Sequence, residues 1–236
     1  MSTTPQSAPP RVYFVGTDTA VGKTALVCAL LERATAIGVR ALPYKPVQSR
    51  DPDEPSDADR LVAAAARPGL TTVDLVAFDY AIPIAPGLAD DPAPFLANAP
   101  GDATAVARSL ALLERTIAGH PSDVILIEGA GGLWVPMPGG TWQPPWIASL
   151  ATDVIVVARA GLGTINHTLC TIDGLRALGI EPRGFYLSEV DPPDASVPLN
   201  ARVIVAARAV AHLGTLPHRA APSRCLLTPL LERLRE

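Results

Sequence analysis

Near its start the chain runs an apolar β-rich segment, Val12–Gly16, straight into Gly16-Thr17-Asp18-Thr19-Ala20-Val21-Gly22-Lys23-Thr24. Leu26, Val27, Leu30, Leu31, Ala34 and Ile37 then recur at helical spacing as far as Gly38, a residue suited to ending a helix. A strand that must become a helix through glycines gathers backbone N–H groups and a helix N-terminus around one point, and that suits a phosphate. In such a turn Lys23 would reach the β- and γ-phosphates and the Thr24 hydroxyl would ligate Mg²⁺. Ala20, Val21, Gly22 and Ala25 would complete the nucleotide-binding segment. Five residues separate Gly16 from Gly22, one more than in the common phosphate-loop pattern. A plain strand-to-helix turn that happens to read Gly-Lys-Thr is the alternative, and the strand-loop-helix context disfavours it.

The rest of the chain repeats the alternation. Asp123–Glu128, Asp153–Ala158 and Gly184–Val190 are short apolar runs without in/out alternation, as expected of strands covered on both faces. Helices are expected over Asp59–Ala66, Thr104–Ala118, Thr164–Leu178, Leu199–Leu213 and Pro222–Arg235. The pattern predicts an α/β fold of the phosphate-loop type: a mostly parallel sheet with helices on both faces. One domain is expected over residues 11–236, preceded by a flexible extension over 1–10. Prolines number 25 in 236 residues, and they gather in 43–58, 82–100, 136–145 and 192–198, as in stiff connectors between ordered elements.

Composition narrows the function classes. With 19 Lys+Arg against 23 Asp+Glu the net charge is -4, which argues against a chain that coats nucleic acid or anionic lipid. Apolar residues make up 48% and charged ones 18%, so disorder is excluded. The mean hydropathy is +0.26, yet no apolar run reaches the roughly 18 residues of a membrane span. Three scattered cysteines (Cys28, Cys170, Cys225) suggest neither a disulfide framework nor a metal knuckle. The polar start of the chain has no secretory pattern, so a cytoplasmic protein is expected.

In parallel sheets ligands bind at the carboxyl ends of the strands. Glu128-Gly129-Ala130-Gly131-Gly132 ends one strand: its carboxylate is placed to hold Mg²⁺, and its glycines let backbone approach a substrate. Tyr44-Lys45-Pro46-Val47-Gln48-Ser49 closes another probable strand, where Lys45 is either a surface lysine or a cation that neutralises phosphoryl charge. Ser56-Asp57-Ala58-Asp59 reads equally as a helix N-cap and as the source of a second Mg²⁺ carboxylate, Asp57. Gly161–Asn166 joins a strand to a helix whose free N–H groups suit a small anion such as a carboxylate. His167 follows, and the absence of other ligands at metal spacing favours a structural role. Trp134, Trp142 and Trp146 read as packing, and His120, His212 and His218 form no visible cluster.

Taken in order, the motifs Gly16–Thr24, Tyr44–Ser49, Ser56–Ala58, Glu128–Gly132 and Gly163-Thr164-Ile165-Asn166-His167-Thr168 resemble the dethiobiotin synthetase family over roughly residues 12–190. The resemblance implies an enzyme of biotin synthesis acting on 7,8-diaminononanoate, CO₂ and a nucleoside triphosphate, ATP or CTP, with Mg²⁺. It implies that Thr24, Asp57 and Glu128 hold the metal and that Lys23 and Lys45 contact the phosphoryl region. It also implies that Thr19, Ser49 and the Gly129-Ala130-Gly131 backbone position the diamine or its carbamate. Members are homodimers, so Gly163, Thr164 and Asn166 would receive the substrate carboxylate across an interface. Ala20 stands where many members carry glutamate, and Ser188-Glu189 where many carry an Asn-Asp pair that reads adenine. Pro217-His218-Arg219 would wrap the base, and Ile82–Asp90 lacks the Pro-His ending often found there. A competing reading is a regulatory switch like the partition ATPases, which usually carry a further lysine early in the phosphate loop; residues 16–21 contain none. A related ligase acting on a different amine is a second alternative.

Overall fold

The computed structural model describes residues 8–189, 192 and 195–218. The elements run β1 (Arg11–Gly16), α1 (Lys23–Ala36), β2 (Ala41–Tyr44), β3 (Val47–Ser49), α2 (Asp57–Ala65), α3 (Thr72–Leu75), β4 (Phe78–Tyr80), α4 (Pro86–Asp90) and α5 (Ala93–Leu96). They continue α6 (Thr104–Gly119), β5 (Val124–Gly132), β6 (Pro136–Met137), β7 (Thr141–Trp142), α7 (Gln143–Leu150), β8 (Asp153–Arg159), α8 (Thr164–Ala177), β9 (Gly184–Ser188), α9 (Val197–Arg208) and β10 (His212–Leu216).

Six strands form the central sheet in the order β10-β9-β8-β1-β5-β2, and every neighbouring pair is parallel. From β1 the chain moves outward to β2, returns to β5, and then crosses β1 to build β8, β9 and β10 on the other side. Right-handed crossovers taken in opposite directions put their helices on opposite faces. Both faces of β1 are therefore covered: Val12, Tyr13, Phe14 and Val15 are wholly buried, as are Ile125, Leu126 and Ile127 of β5 beside them. The point where the order reverses, at the ends of β1, β5 and β8, is where a crevice opens in such sheets.

The four expected strands stand in this sheet, and the helices at the phosphate loop, Asp57–Ala65, Thr104–Gly119 and Thr164–Ala177 lie close to their expected spans. One expectation needs correction. The helix expected over Leu199–Leu213 stops at Arg208, because Ala209 turns left-handed (φ 49°) and the chain re-enters the sheet as β10 along β9. Val210 and Leu213 keep helical spacing with the preceding residues, which conceals this edge strand in the sequence. The strand expected to close at Tyr44–Ser49 is β2, which ends at Tyr44; beyond Lys45-Pro46 the chain forms β3, which leaves the main sheet and pairs with β4. Pro46 has no N–H to continue the ladder. Its carbonyl accepts instead from Ala77 and Phe78. The helix expected over Pro222–Arg235, Cys225 and the last residue of the strand expected to Val190 lie outside the described residues.

Candidate active site

The crevice is a cavity of about 580 Å³ whose wall includes Thr19, Gly22, Lys23, Thr24, Lys45, Ser49, Asp57, Glu128 and Gly131. Sequence positions separated by more than a hundred residues meet here, because each sits at the carboxyl end of a neighbouring strand or on the helix that follows.

Gly22 takes a left-handed φ of 96°, which lets the loop run directly into α1. Gly16 serves a different need. A Cβ there would lie 2.6 Å from the Lys23 ammonium and equally close to the Asp18 and Gly131 carbonyls. The absent side chain is the space in which Lys23 sits, with Nζ donating to Asp18 O at 3.1 Å and Gly131 O at 3.0 Å. Burial, with the Lys45 charge next, lowers the Lys23 pKa to about 8. Ala20 bends the loop with φ 55° and is exposed, as is Ala25 on the first turn of α1.

Below the loop lies a compact polar cluster. Thr24 Oγ1 stands 2.9 Å from Asp57 Oδ1 and 2.8 Å from Glu128 Oε1. Lys45 Nζ stands 2.9 Å from Asp57 Oδ2 and 2.7 Å from Glu128 Oε1. Lys45 is therefore no surface lysine; it is almost wholly buried between two carboxylates. Burial works against its charge, but Glu128 and Asp57 more than compensate and hold its pKa above the ordinary lysine range. For Asp57 burial again opposes ionisation, and the Lys45 charge together with hydrogen bonds from Lys45 and Thr24 holds the carboxyl below the usual range.

The N-cap reading of Ser56–Asp59 holds, and the same turn brings Asp57 to the cavity. Ser56 caps α2 by accepting from Asp59 N at 3.1 Å, while Asp59 reaches back to Ser56 N at 2.9 Å. That cap fixes the first turn so that Asp57 faces the cavity. Two buried oxygens, Glu128 Oε2 and Ser49 Oγ, have no hydrogen-bond partner among the described residues. A buried acceptor left unpaired costs on the order of 1–3 kcal/mol, so such atoms mark where a ligand makes the missing contact.

The remaining predicted residues fall into two groups. Gly129 packs so closely on Tyr13 that a Cβ would lie 2.5 Å from its ring, and Ala130 and Gly131 line the cavity. Ser188 lies against the loop: a Cβ on Gly22 would come within 2.4 Å of its hydroxyl. Glu189 N donates to Leu216 O at 2.9 Å and Glu189 Oε2 accepts from His218 N at 3.2 Å, so the Pro217-His218 turn is tied to the same edge. Arg219 lies outside the described residues. Gly163, Thr164 and Asn166 do not reach the main cavity within one chain. Gly163 caps α8 with φ 90°, Thr164 is buried against Thr168, and Asn166 is exposed. His167, one turn into α8, lines a smaller cavity of about 380 Å³ that shares Thr19 and Val135 with the main one.

Sequence reasoning missed Gln48, Arg60 and the Pro83–Pro86 segment, all in the cavity wall. Arg60 stands three residues after Asp57, on the same helical face, and that spacing was the available signal. Gln48 faces inward because its oxygen accepts from Ala58 N at 3.3 Å, a pairing invisible before the fold is known.

A family model described as an AAA domain matches residues 10–224. Over 196 residues, 82% of this chain and 83% of the relative, the chain is 39% identical to the ATP-dependent dethiobiotin synthetase BioD of Anaeromyxobacter dehalogenans strain 2CP-C. The chain belongs to this family. It is also 36% identical to the ATP-dependent dethiobiotin synthetase BioD of Caulobacter vibrioides strain NA1000, over 78% of this chain and 82% of that one. To the ATP-dependent dethiobiotin synthetase BioD 1 of Escherichia coli K12 it is 32% identical, over 78% and 79% of the two chains. Among solved structures, the signal recognition particle receptor FtsY of Elizabethkingia anophelis superposes with a TM-score of 0.55 at 13% identity, covering 98% of this chain and 67% of that one. The MinC:MinD cell division complex of Aquifex aeolicus gives a TM-score of 0.51 at 12% identity, over 95% of this chain and 86% of the other. At that identity the likeness is one of fold, a single parallel-sheet phosphate-loop architecture. Relatives in sequence are synthetases, so dethiobiotin synthetase family membership, and not a regulatory switch, accounts for the polar cluster at Lys45.

Proposed function

We propose that the protein is a dethiobiotin synthase that converts 7,8-diaminononanoate, CO₂ and a nucleoside triphosphate to dethiobiotin, nucleoside diphosphate and phosphate. The observation that carries this reading is the meeting of Lys45, Asp57, Glu128 and Thr24 under a phosphate loop, paired with one another and without a histidine, serine or cysteine among them. Chemistry of this kind draws its nucleophiles from the substrate and needs positioning and charge neutralisation from the protein.

One amine of the diamine adds to CO₂ and loses a proton, giving a carbamate. A carbamate oxygen takes the γ-phosphoryl group as its bond to the β-phosphate bridging oxygen breaks. The second amine then attacks the carbamoyl carbon and loses a proton, phosphate leaves with the C–O bonding pair, and the cyclic urea closes. Lys23 and Lys45 would face the transferring phosphoryl group. Thr19, Ser49 and the Gly131 backbone would hold the diamine, with the unpartnered Ser49 hydroxyl available to it.

Thr24, Asp57 and Glu128 offer only hard oxygen donors, and the orphaned Glu128 Oε2 fits a hard divalent cation such as Mg²⁺. When bound there, Mg²⁺ would offset the charge of the triphosphate. The Ala20–Ala25 segment would cradle the triphosphate. Ser188, Glu189, Pro217 and His218 would border the base. In the proposed cytoplasmic homodimer, Gly163, Thr164 and Asn166 serve the neighbouring subunit's substrate, consistent with their distance from the cavity of their own chain. The domain is proposed to span residues 11–236.

Purified protein given 7,8-diaminononanoate, bicarbonate, Mg²⁺ and either ATP or CTP is expected to form dethiobiotin and phosphate in equal amounts. Diamine-independent hydrolysis with no dethiobiotin from any triphosphate would overturn the reading.

A further inference from the structure

Gln143 is a buried side chain that none of the motifs above includes. It is the first residue of α7, followed by Pro144 and Pro145, and its backbone N–H donates to Val135 O at 3.2 Å. Its amide lies directly under the glycine turn that ends β5. Oε1 accepts from Ala130 N at 2.9 Å and from the Tyr13 hydroxyl at 3.1 Å, while Nε2 donates to Gly132 O at 2.7 Å. The backbone partners fix which end of the amide is which, because an N–H can only donate and a carbonyl can only accept.

The two backbone contacts flank Gly131, which holds a left-handed φ of 46° and whose carbonyl accepts from Lys23 Nζ at 3.0 Å. Gly129, just before, has no room for a side chain against Tyr13 and Gln143. The turn is therefore gripped on both sides of its carbonyl that accepts from the phosphate-loop lysine, whose other carbonyl partner is Asp18 O. We infer that Gln143 is a positioning residue: by clamping Ala130 N and Gly132 O it sets the height of the Gly131 carbonyl and so the place of the Lys23 ammonium. The inference rests on the proposed nucleotide role of Lys23.

A carboxylic acid can replace this amide only while protonated, when one oxygen still accepts from Ala130 N and the O–H donates to Gly132 O. Once ionised it has no donor. The titratable groups around the position are Tyr13 of β1, whose hydroxyl is raised far above its usual range by burial and then by Glu128, and Glu128 of β5. Burial and the Glu128 charge would raise the pKa of an introduced carboxyl toward neutrality or above.

The test measures ATP affinity and the steady-state kcat and KM for ATP of wild type, Gln143→Leu and Gln143→Glu at about pH 6 and about pH 8.5, with the melting temperature followed at each. For Gln143→Leu, affinity for ATP is expected to fall about tenfold relative to wild type at both pH values. For Gln143→Glu it is expected to stay within about threefold of wild type at the lower pH and to fall about tenfold at the higher one, while the melting temperature lies below that of wild type and falls further at the higher pH, since a carboxyl whose pKa the fold raises costs stability as it ionises. Full ATP affinity in a folded Gln143→Leu protein would overturn the inference, as would a Gln143→Glu protein whose ratio to wild type is the same at both pH values. If the leucine variant does not fold, the glutamate variant alone decides. Should wild type itself bind no ATP, the nucleotide reading fails and not the clamp.

Discussion

The ends of β5 and β9 both border the phosphate loop, yet they are built in different ways. Toward the carboxyl end of β5, Glu128 is buried within 3 Å of a buried lysine and a threonine hydroxyl, and both of those also contact a second carboxylate, Asp57. At the end of β9, Ser188 and Glu189 are at the surface side of the loop and are held chiefly by backbone pairing, Ala160 N to Ser188 O and Glu189 N to Leu216 O. Charges are kept out of water only where a partner of opposite sign has been supplied, so a buried cluster fixes its members together. A rim made of backbone contacts leaves its side chains freer to change.

The largest effect should come from breaking the buried side. Lys45→Met removes the cation that lies between Glu128 and Asp57. Product formation is expected to fall by about 10²–10³ in kcat, the usual scale for losing one preorganised charge stabiliser. The same variant leaves the buried Glu128 without the cation that touches it, and breaking a buried pair in this way costs about 3–5 kcal/mol of stability. Adding Mg²⁺ and nucleotide should recover part of that loss, because a bound cation replaces the missing charge. Steady-state kinetics and thermal melts with and without Mg²⁺ and ATP check both halves; a kcat within threefold of wild type would refute the role of Lys45.

An intermediate effect separates the two lysines. Lys23 has its pKa lowered to about 8, while Lys45 is held above the ordinary range by its carboxylates. A bound triphosphate favours the Lys23 ammonium and raises its pKa, so binding takes up a proton between the free and bound values. Affinity is therefore complete below pH 8 and declines as pH rises through it, by up to about tenfold per unit. Calorimetry in buffers of different ionisation enthalpy should detect proton uptake just above that pH and none well below it. Lys23→Arg, which cannot lose its proton, should abolish the uptake.

How much of this was legible beforehand follows the same divide. The strand, glycine turn and helix around Lys23 announce themselves because one short stretch contains the whole device. The sheet was legible because strands buried on both faces must be apolar throughout. Lys45 and Asp57 were ambiguous, since a lysine before proline and an aspartate after serine each have an ordinary local explanation, and only the fold shows that they touch. Gln143 gave no signal at all: its partners are the backbone of a turn eleven to thirteen residues earlier and a tyrosine on another strand. Edge strand β10 was hidden for a related reason. Its pairing with β9 is a tertiary fact, and its residues alone continue the helical pattern of α9.

The smallest effect is expected at the rim itself. Ser188 leans so near the loop that a methyl on Gly22 would lie 2.4 Å from its hydroxyl, so the side chain contributes shape as well as a polar atom. Its backbone carbonyl, bound to Ala160 N at 2.6 Å, is unaffected by the side chain. Ser188→Ala removes the hydroxyl and adds no bulk, and a single neutral hydrogen bond contributes about 0.5–1.5 kcal/mol net. KM for ATP should therefore rise by less than about tenfold with kcat unchanged, and the ratio of ATP to CTP turnover should move no further than that. A change in kcat as large as that of Lys45→Met would mean that the β9 end takes part in the chemistry, and the contrast between the two strand ends would fail.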